Sequence, residues 1–273
     1  MVRISGGLGN QMFQYAFASA LQNRGNQVYM HWHPHRSKSE HNGFELDRVF
    51  QIQLSDAIPL VSQSLLSRWQ TWRLRKTVRT REVHELQFQA HFLETQKGYL
   101  DGYWQTEQYF KSIHDKIRAD FEFKPLSGAQ NLELQQQLTQ SEACSIHIRR
   151  GDYVGHPELG DICDKAYYSN ALKELDARHP HCPLVVFSDD IEFSKDLLKR
   201  RPRVQFCDWN RGRNNWMDMA LMSYCTHHII ANSSFSWWGA WLERSRGITL
   251  APTVWSSKFK LQTVVCSKEW LLV

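Results

Sequence analysis

Ala143-Cys144-Ser145-Ile146-His147-Ile148-Arg149-Arg150-Gly151-Asp152 decides the fold class of this chain. An apolar-rich run ends abruptly in a histidine, two adjacent arginines and an aspartate. A buried strand of an α/β sheet ends in this way, handing charged groups to the crevice beyond its carboxyl end, where open α/β sheets bind ligands. Two guanidinium forks side by side suit a diphosphate, because each offers several donors at fixed charge. The competing reading is a salt-bridged strand end with no ligand.

Outward from this run, the second half of the chain alternates. Strands are predicted at Cys144 to Ile148, Leu184 to Phe187, Val204 to Cys207, His227 to Ala231 and Ile248 to Ala251. Helices are predicted at Lys165 to Arg178, Glu192 to Arg200, Trp216 to Tyr224 and Phe235 to Glu243. That order implies a parallel sheet covered on both faces. Two more segments fall where such a sheet places ligand groups. In Phe187-Ser188-Asp189-Asp190 a carboxylate can accept from a ribose hydroxyl or from the amino edge of guanine. Alternatively, Asp190 caps the following helix. Asn232-Ser233-Ser234-Phe235-Ser236 opens a helix whose free N–H groups and positive dipole end attract phosphate. Opposite Arg149 and Arg150 it would form half of a diphosphate clamp. Trp237, Trp238 and Trp241 then bury that helix and read as core in preference to ligand platforms.

The first half opens as a βαβ unit. Val2 to Ile4 reads as a strand, Gly6-Gly7-Leu8-Gly9-Asn10 as a turn, Gln11 to Asn23 as a helix and Val28 to Met30 as the next strand. Met12, Phe13, Ala16, Phe17 and Ala20 share one helix face. Met12 stands where a third glycine would complete a dinucleotide fingerprint, and no Gly-Lys-Ser/Thr makes a P-loop. Asn10 and Gln11 instead offer amide groups to an anion or a sugar. Gln63 to Arg81 reads as a helix or helix pair carrying Arg68, Arg73, Arg75, Lys76, Arg79 and Arg81, with Trp69, Trp72 and Leu74 interleaved. A solvated face is the simpler reading of it, and an anionic membrane surface the alternative. Leu100 to Gln105 looks like a strand running into a turn. Lys124 to Gln130, with Pro125 and Gly128, is the candidate domain boundary, followed by a polar helix from Asn131 to Gln140.

Composition narrows the class. A length of 273 residues suits one large or two medium domains. With 42% hydrophobic and 22% charged residues the chain reads as globular, not disordered. A net charge of +5 favours an anionic ligand without establishing a nucleic-acid binder. None of the 6 cysteines forms a CxxC pair, which argues against zinc and disulfides and for buried thiols in a reducing compartment. The amino terminus lacks the apolar core of a signal peptide, and no apolar run approaches the roughly 20 residues that span a bilayer. The expectation is a cytoplasmic protein.

Taken together, Gly6-Gly7-Leu8-Gly9-Asn10-Gln11-Met12-Phe13-Gln14, Gly102-Tyr103-Trp104-Gln105, His147 to Tyr153, Phe187 to Asp190 and Asn232 to Trp241 resemble glycosyltransferase family 11, the α-1,2-fucosyltransferase family, in its soluble bacterial form. The matches come in family order. The resemblance implies a GT-B architecture, α/β, with two Rossmann-like domains facing a cleft: an acceptor-side domain at 1–125 and a GDP-fucose-binding domain at 126–273. It implies inverting transfer of L-fucose from GDP-β-L-fucose to a galactose hydroxyl, O-2 by the family, on a glycan such as a surface polysaccharide precursor. No metal and no cofactor are implied, GDP-fucose being a co-substrate, and Asp189-Asp190 is not an Asp-x-Asp motif.

The resemblance also distributes roles. Arg149 and Arg150 would neutralise the departing diphosphate, with Ser233, Ser234 and the helix start beside them. His147 would contact the nucleoside and Asp189 or Asp190 would read guanine. Ser188, Asn232, Phe235, Gly7 and Gly9 complete the donor set. Asn10 would lie near the diphosphate or the reacting sugar, and Gln11, Tyr103 and Trp104 would meet the acceptor. Inversion favours a base. Asp152 is nearest in sequence, while Glu158, Asp161 and Asp164 on the following loop remain open. Alternatives are another GDP-sugar such as GDP-mannose, or an RNA- or membrane-binding module built on Arg68 to Arg81. The enzyme reading expects no nucleic-acid partner, but a lipid-linked acceptor would make peripheral contact of that basic stretch with the inner membrane face useful.

Overall fold

The protein is described from a computed structural model covering residues 1–32, 42–54, 57–61, 72–73, 79–82, 86–258 and 265–273. The chain divides into two compact units, Met1–Lys124 and Pro125–Val273. Each is built on a parallel sheet.

In the first unit, β1 (Val2–Ile4), β2 (Met30–Trp32), β3 (Arg79–Arg81) and β4 (Tyr99–Asp101) are ordered β2-β1-β4-β3. Helix α1 (Leu8–Asn23) is buried from Leu8 through Leu21 except at Asn10. A helix apolar nearly all round belongs in a core, and the face of Met12, Phe13, Ala16, Phe17 and Ala20 lies within it. It starts three residues earlier than expected, because the Gly7 carbonyl already accepts the N–H groups of Asn10 (3.0 Å) and Gln11 (3.1 Å). Asn10 and Gln11 therefore belong to its first turn. Strand β2 lies two residues later than expected, in register Val2↔Met30. The short helices α2 (Leu46–Val49) and α3 (His114–Asp120) complete the described elements used below. Of the basic stretch expected between Gln63 and Arg81, most lies outside the described residues. Trp72 and Arg73 are exposed, and Arg79–Arg81 is strand rather than helix.

The second unit begins with α4 (Ala129–Gln140) and continues β5 (Cys144–Ile148), α5 (Lys165–Arg178), β6 (Leu184–Ser188), α6 (Ile191–Leu198), β7 (Val204–Cys207), α7 (Trp216–Met222), β8 (His227–Ile229), α8 (Ser234–Trp241), β9 (Thr249–Ala251) and β10 (Leu271–Leu272). The sheet order is β10-β9-β8-β5-β6-β7. Every residue of β5 is buried, as expected of a strand covered on both faces. Helix α5 docks Tyr167, Tyr168, Ala171 and Leu175 on it. The two tyrosines bring hydroxyls into that core and satisfy them on backbone: Tyr168 donates to the His147 carbonyl at 3.0 Å and Tyr167 to that of Ile230. The tryptophans of α8 are core, with Trp237 and Trp238 fully enclosed. All six cysteines are free thiols. No described helix is long and apolar enough to cross a membrane.

Candidate active site

Numbered within the second unit, the strand order reads 6-5-4-1-2-3, the Rossmann order. Its topological switch point falls between β5 and β8, and a crevice opens there beyond the carboxyl ends. Arg149 and Arg150 follow β5, and Asn232, Ser233 and Ser234 follow β8. Ile148 pairs with Ser188 on β6, which sets Asp189 and Asp190 beside the arginines.

The result is an ion-pair ladder. Arg149 meets Asp152 (2.6 Å) and Asp189 (2.8 Å), while Arg150 Nε meets Asp190 (3.0 Å). Asp189 also accepts the backbone N–H of Arg150 at 2.8 Å. Gly151 makes room for it, since a Cβ there would lie 2.9 Å from Asp189 Oδ2. Asp190 caps α6 by accepting the Phe193 N–H at 3.0 Å. That N–H, with Arg150 beyond it, holds the Asp190 carboxyl below its ordinary value. The Arg150 guanidinium lies 3.9 Å from the centre of the Phe193 ring, a flat support that fixes its plane. So the salt-bridged strand end and the exposed double arginine are both real, and all four of these side chains keep about a third of their surface in solvent.

His147 is different. Its ring lies 5.7 Å from that of Phe235 and is almost wholly enclosed. Burial pushes its pKa down to about 4, so it is neutral at pH 7. Nδ1 is buried without a hydrogen-bond partner among the described residues. Such a group costs about 1–3 kcal/mol unless something bonds it. Of the polar groups in this region it is the one the fold leaves conspicuously unserved.

Below the arginines lies a cavity of about 290 Å³, lined by Arg149, Arg150, Tyr153, Val154, Leu159 and Asn232 among others. Two expected donor ligands turn out to be structural. Asn232 is buried, and its Nδ2 donates to the carbonyls of Leu159 (3.1 Å) and Trp255 (3.2 Å), stapling the loop after Arg150 to the segment after β9. The Ser188 hydroxyl donates to the Ile148 carbonyl (2.8 Å) and accepts the Asp190 N–H (2.9 Å), tying β5 to β6. Ser233 caps α8, its Oγ accepting the Phe235 N–H at 3.3 Å, and Ser234 and Phe235 are half-buried at the helix start. Among the other carboxylates of the loop, Asp164 caps α5 through the Tyr167 N–H (2.8 Å) and Glu158 faces Lys258 (3.7 Å). Asp161 is exposed on the cavity wall with a left-handed backbone, φ 56°.

In the first unit the expected ligand residues divide likewise. Gly6 takes φ 78° and Gly7 stands as the N-cap of α1, with Gly9 inside its first turn. Asn10 accepts from Gln105 Nε2 at 2.7 Å. Gln11 is fully buried: its amide donates to the carbonyls of Gly6 (2.9 Å) and Gly43 (2.7 Å) and accepts the Glu45 N–H (2.9 Å). That leaves its side chain no freedom to meet an acceptor, a correction to the expectation. Trp104 corrects it too. It has φ 57°, no exposed surface, and stacks on Phe17 at 4.2 Å. Tyr103 beside it is 37% exposed at the tip of the turn. The turn is held by Glu82, whose Oε2 accepts the N–H groups of Tyr103 (2.7 Å) and Trp104 (3.0 Å). Nothing in the local sequence around Glu82 signals that task. Phe193, Tyr153 and Tyr168 were missed for the same reason: each acts across an element boundary.

The fold also assembles a trio that cysteine and histidine spacing did not suggest. Glu142, His179 and His227 offer ligand atoms within 4.8 Å of one another, at the amino ends of β5 and β8, the edge of the sheet opposite the crevice. His227 Nδ1 accepts the Ile248 N–H at 3.0 Å, so Nε2 carries the proton and donates to Glu142 at 2.6 Å. A metal-ligating histidine shows the reverse pattern, donating its outer N–H and keeping the inner lone pair. The trio fits an internal hydrogen-bonded cluster better than a metal.

Two units on parallel sheets, the second in Rossmann order with a pair of arginines at its switch point, define the class: an α/β protein of GT-B type. The chain belongs to glycosyl transferase family 11, whose model matches residues 1–273, and is thus a glycosyltransferase. It is 32% identical over 291 residues to the alpha-1,2-colitosyltransferase of Escherichia coli, covering 100% of this chain and 98% of that one. It is 28% identical over 261 residues to the galactoside alpha-(1,2)-fucosyltransferase 1 of Homo sapiens, covering 90% of this chain and 66% of the human one. Among solved structures, the fucosyltransferase NodZ from Bradyrhizobium superposes with a TM-score of 0.52 over 89% of this chain and 93% of that chain. At 13% identity that likeness is one of fold.

Proposed function

We propose that the chain transfers L-fucose from GDP-β-L-fucose to O-2 of a galactose residue in a glycan, with inversion and without a metal ion. The observation that carries this reading is the crevice itself: two guanidinium groups at the β5/β8 switch point, beside a buried imidazole with an unmet Nδ1. As the C1–O bond breaks, negative charge grows on the β-phosphate. Arg149 and Arg150 meet it with fixed charge already in place, which lowers the barrier without reorganisation. The start of α8 adds N–H groups. His147, kept neutral by burial, can take a nucleoside hydrogen bond through Nδ1. Asp189 and Asp190 serve first by fixing the arginines, and the exposed edge of either can accept from guanine.

The unit Pro125–Val273 is thus the donor side. The unit Met1–Lys124 is assigned the acceptor, with half-exposed Tyr103 and Asn10 its proposed contacts. The names of the relatives support the α-1,2 linkage and the galactoside acceptor. A second reading is favoured by the 32% identical colitosyltransferase. Colitose is fucose without its 3-hydroxyl, so the same crevice would serve a GDP-colitose donor. The test is transfer to a β-galactoside in the presence of EDTA, with GDP-fucose, GDP-colitose and GDP-mannose in parallel and the linkage read by NMR. An α-1,2-fucosyl product supports the first reading, colitosyl transfer alone the second. Mannosyl transfer alone, or none with any donor, overturns both. A lipid-linked acceptor, with the Arg68 to Arg81 stretch against an anionic membrane, belongs to the same proposal and is read by vesicle co-sedimentation.

A further inference from the structure

We infer that Asp152 is the general base of the transfer, and that it waits as a counter-ion on Arg149 until the donor's diphosphate displaces it. This rests on the crevice being a GDP-sugar site. Three carboxylates surround the two guanidinium groups, and they are not held alike. Asp189 is fixed by the backbone N–H of Arg150 as well as by Arg149 (both 2.8 Å). Asp190 is fixed by the backbone N–H of Phe193 as well as by Arg150 (both 3.0 Å). Asp152 has one polar contact among the described residues, the 2.6 Å bond to Arg149 Nη2, and its side chain is the most exposed of the three at 57%. It stands in the one-turn segment Gly151–Tyr153, next in sequence to Tyr153 and Val154, which line the cavity.

A diphosphate entering the crevice competes for Arg149 with that carboxylate. It carries more charge and more acceptor oxygens than Asp152. An exposed ion pair of this kind is weak, so of the three carboxylates Asp152 is the one that yields. Paired with a guanidinium, a carboxylate is a poor base. Released, its oxygens are free to accept a proton. Donor binding therefore switches the base on. In the step that follows, the acceptor O–H gives its proton to Asp152 and the acceptor oxygen bonds to C1 of the sugar. The C1–O bond to phosphate breaks with its electron pair going to the β-phosphate of GDP. Until the donor is seated, Asp152 is held on Arg149. Glu158 and Asp164 are engaged on Lys258 and on the cap of α5. Asp161, at the cavity wall, is the competing candidate.

The experiment measures GDP affinity by calorimetry and initial rates against pH, for the wild type and Asp152→Asn. If the carboxylate competes with the diphosphate, the variant binds GDP about two- to fivefold more tightly. Its kcat falls by about 10²- to 10⁴-fold, and the acidic limb of the kcat profile disappears. A residue that merely orients Arg149 gives the opposite sign in binding. Weaker GDP binding by the variant, or a kcat within tenfold of wild type with its acidic limb intact, overturns the proposal, the latter in favour of Asp161. Asp152→Ser, with the same expectations, replaces Asp152→Asn if the latter does not fold. Absence of GDP binding by the wild type would instead remove the donor-site reading, a separate result.

Discussion

The turn that opens α1 and the crevice at the end of β5 are equally rich in polar motif residues, yet the fold uses them differently. In the first unit the motif amides are consumed by architecture. Gln11 joins Gly6, Gly43 and Glu45, and Gln14 accepts the Ser5 N–H (2.8 Å) while donating to the Gly102 carbonyl (2.9 Å). In the second unit the charged groups are merely balanced by exposed carboxylates, and His147 Nδ1 is left unpaired. Motif membership alone does not separate a ligand residue from a structural one. The separation comes from whether its polar atoms already have partners inside the fold.

Substitutions should break along this line. The largest effect belongs to Arg150→Ala, which removes half of the diphosphate clamp. Transfer should fall by about 10²- to 10³-fold, with the circular dichroism spectrum unchanged, and Arg150→Lys should recover little because a point charge replaces a planar fork. Trp104→Ala comes next and acts on stability. It opens a void beside Phe17 in a core without exposure, costing about 3–5 kcal/mol in a urea titration. Enough folded Trp104→Phe should remain to bind GDP as the wild type does, and a changed GDP affinity would argue against the division drawn here. Asn232→Ala should unstaple the loop lining the cavity. Two carbonyls, that of Trp255 buried, lose a donor, so GDP affinity drops by about tenfold at a stability cost of about 1–3 kcal/mol.

The smallest effect is a pH dependence. His147 has its folded pKa depressed from 6.5 to about 4, so between those values the unfolded chain binds more protons. The stability of keeping His147 neutral is fully present above pH 6.5 and is lost as pH falls toward 4, about 1.4 kcal/mol per unit at most. The difference in unfolding free energy between wild type and His147→Gln should therefore drift in the variant's favour by about 1–2 kcal/mol from pH 7 to pH 5. A difference independent of pH would mean that His147 is not held neutral. GDP, if bonded at Nδ1, should bind more weakly to His147→Phe than to wild type.

Much of this was legible in the sequence, for physical reasons. The strand β5 was read to the residue because a strand buried on both faces is rich in apolar residues, and its end is marked by charge. The alternation that followed predicted the parallel sheet, and motif order predicted the family. What escaped was whatever depends on partners distant in sequence. Trp104 and Gln11 were expected at an acceptor because a motif says nothing of burial, which here is set by Phe17 and Gly43. Asn232 was expected on the donor for the same reason. Glu82 carries no local sign of its role, and the Glu142–His179–His227 cluster is assembled by residues up to 85 positions apart. Strand β10 is two residues long, too short for any periodicity to show.

The most direct test is a crystal structure of the protein with GDP bound in the absence of divalent metal. The account predicts both phosphates within hydrogen-bond distance of Arg149 and Arg150 at the β5/β8 switch point, His147 Nδ1 paired at last, and Asp152 turned away from Arg149. Phosphates bound elsewhere, or Arg149 still closed on Asp152 with GDP present, would contradict it.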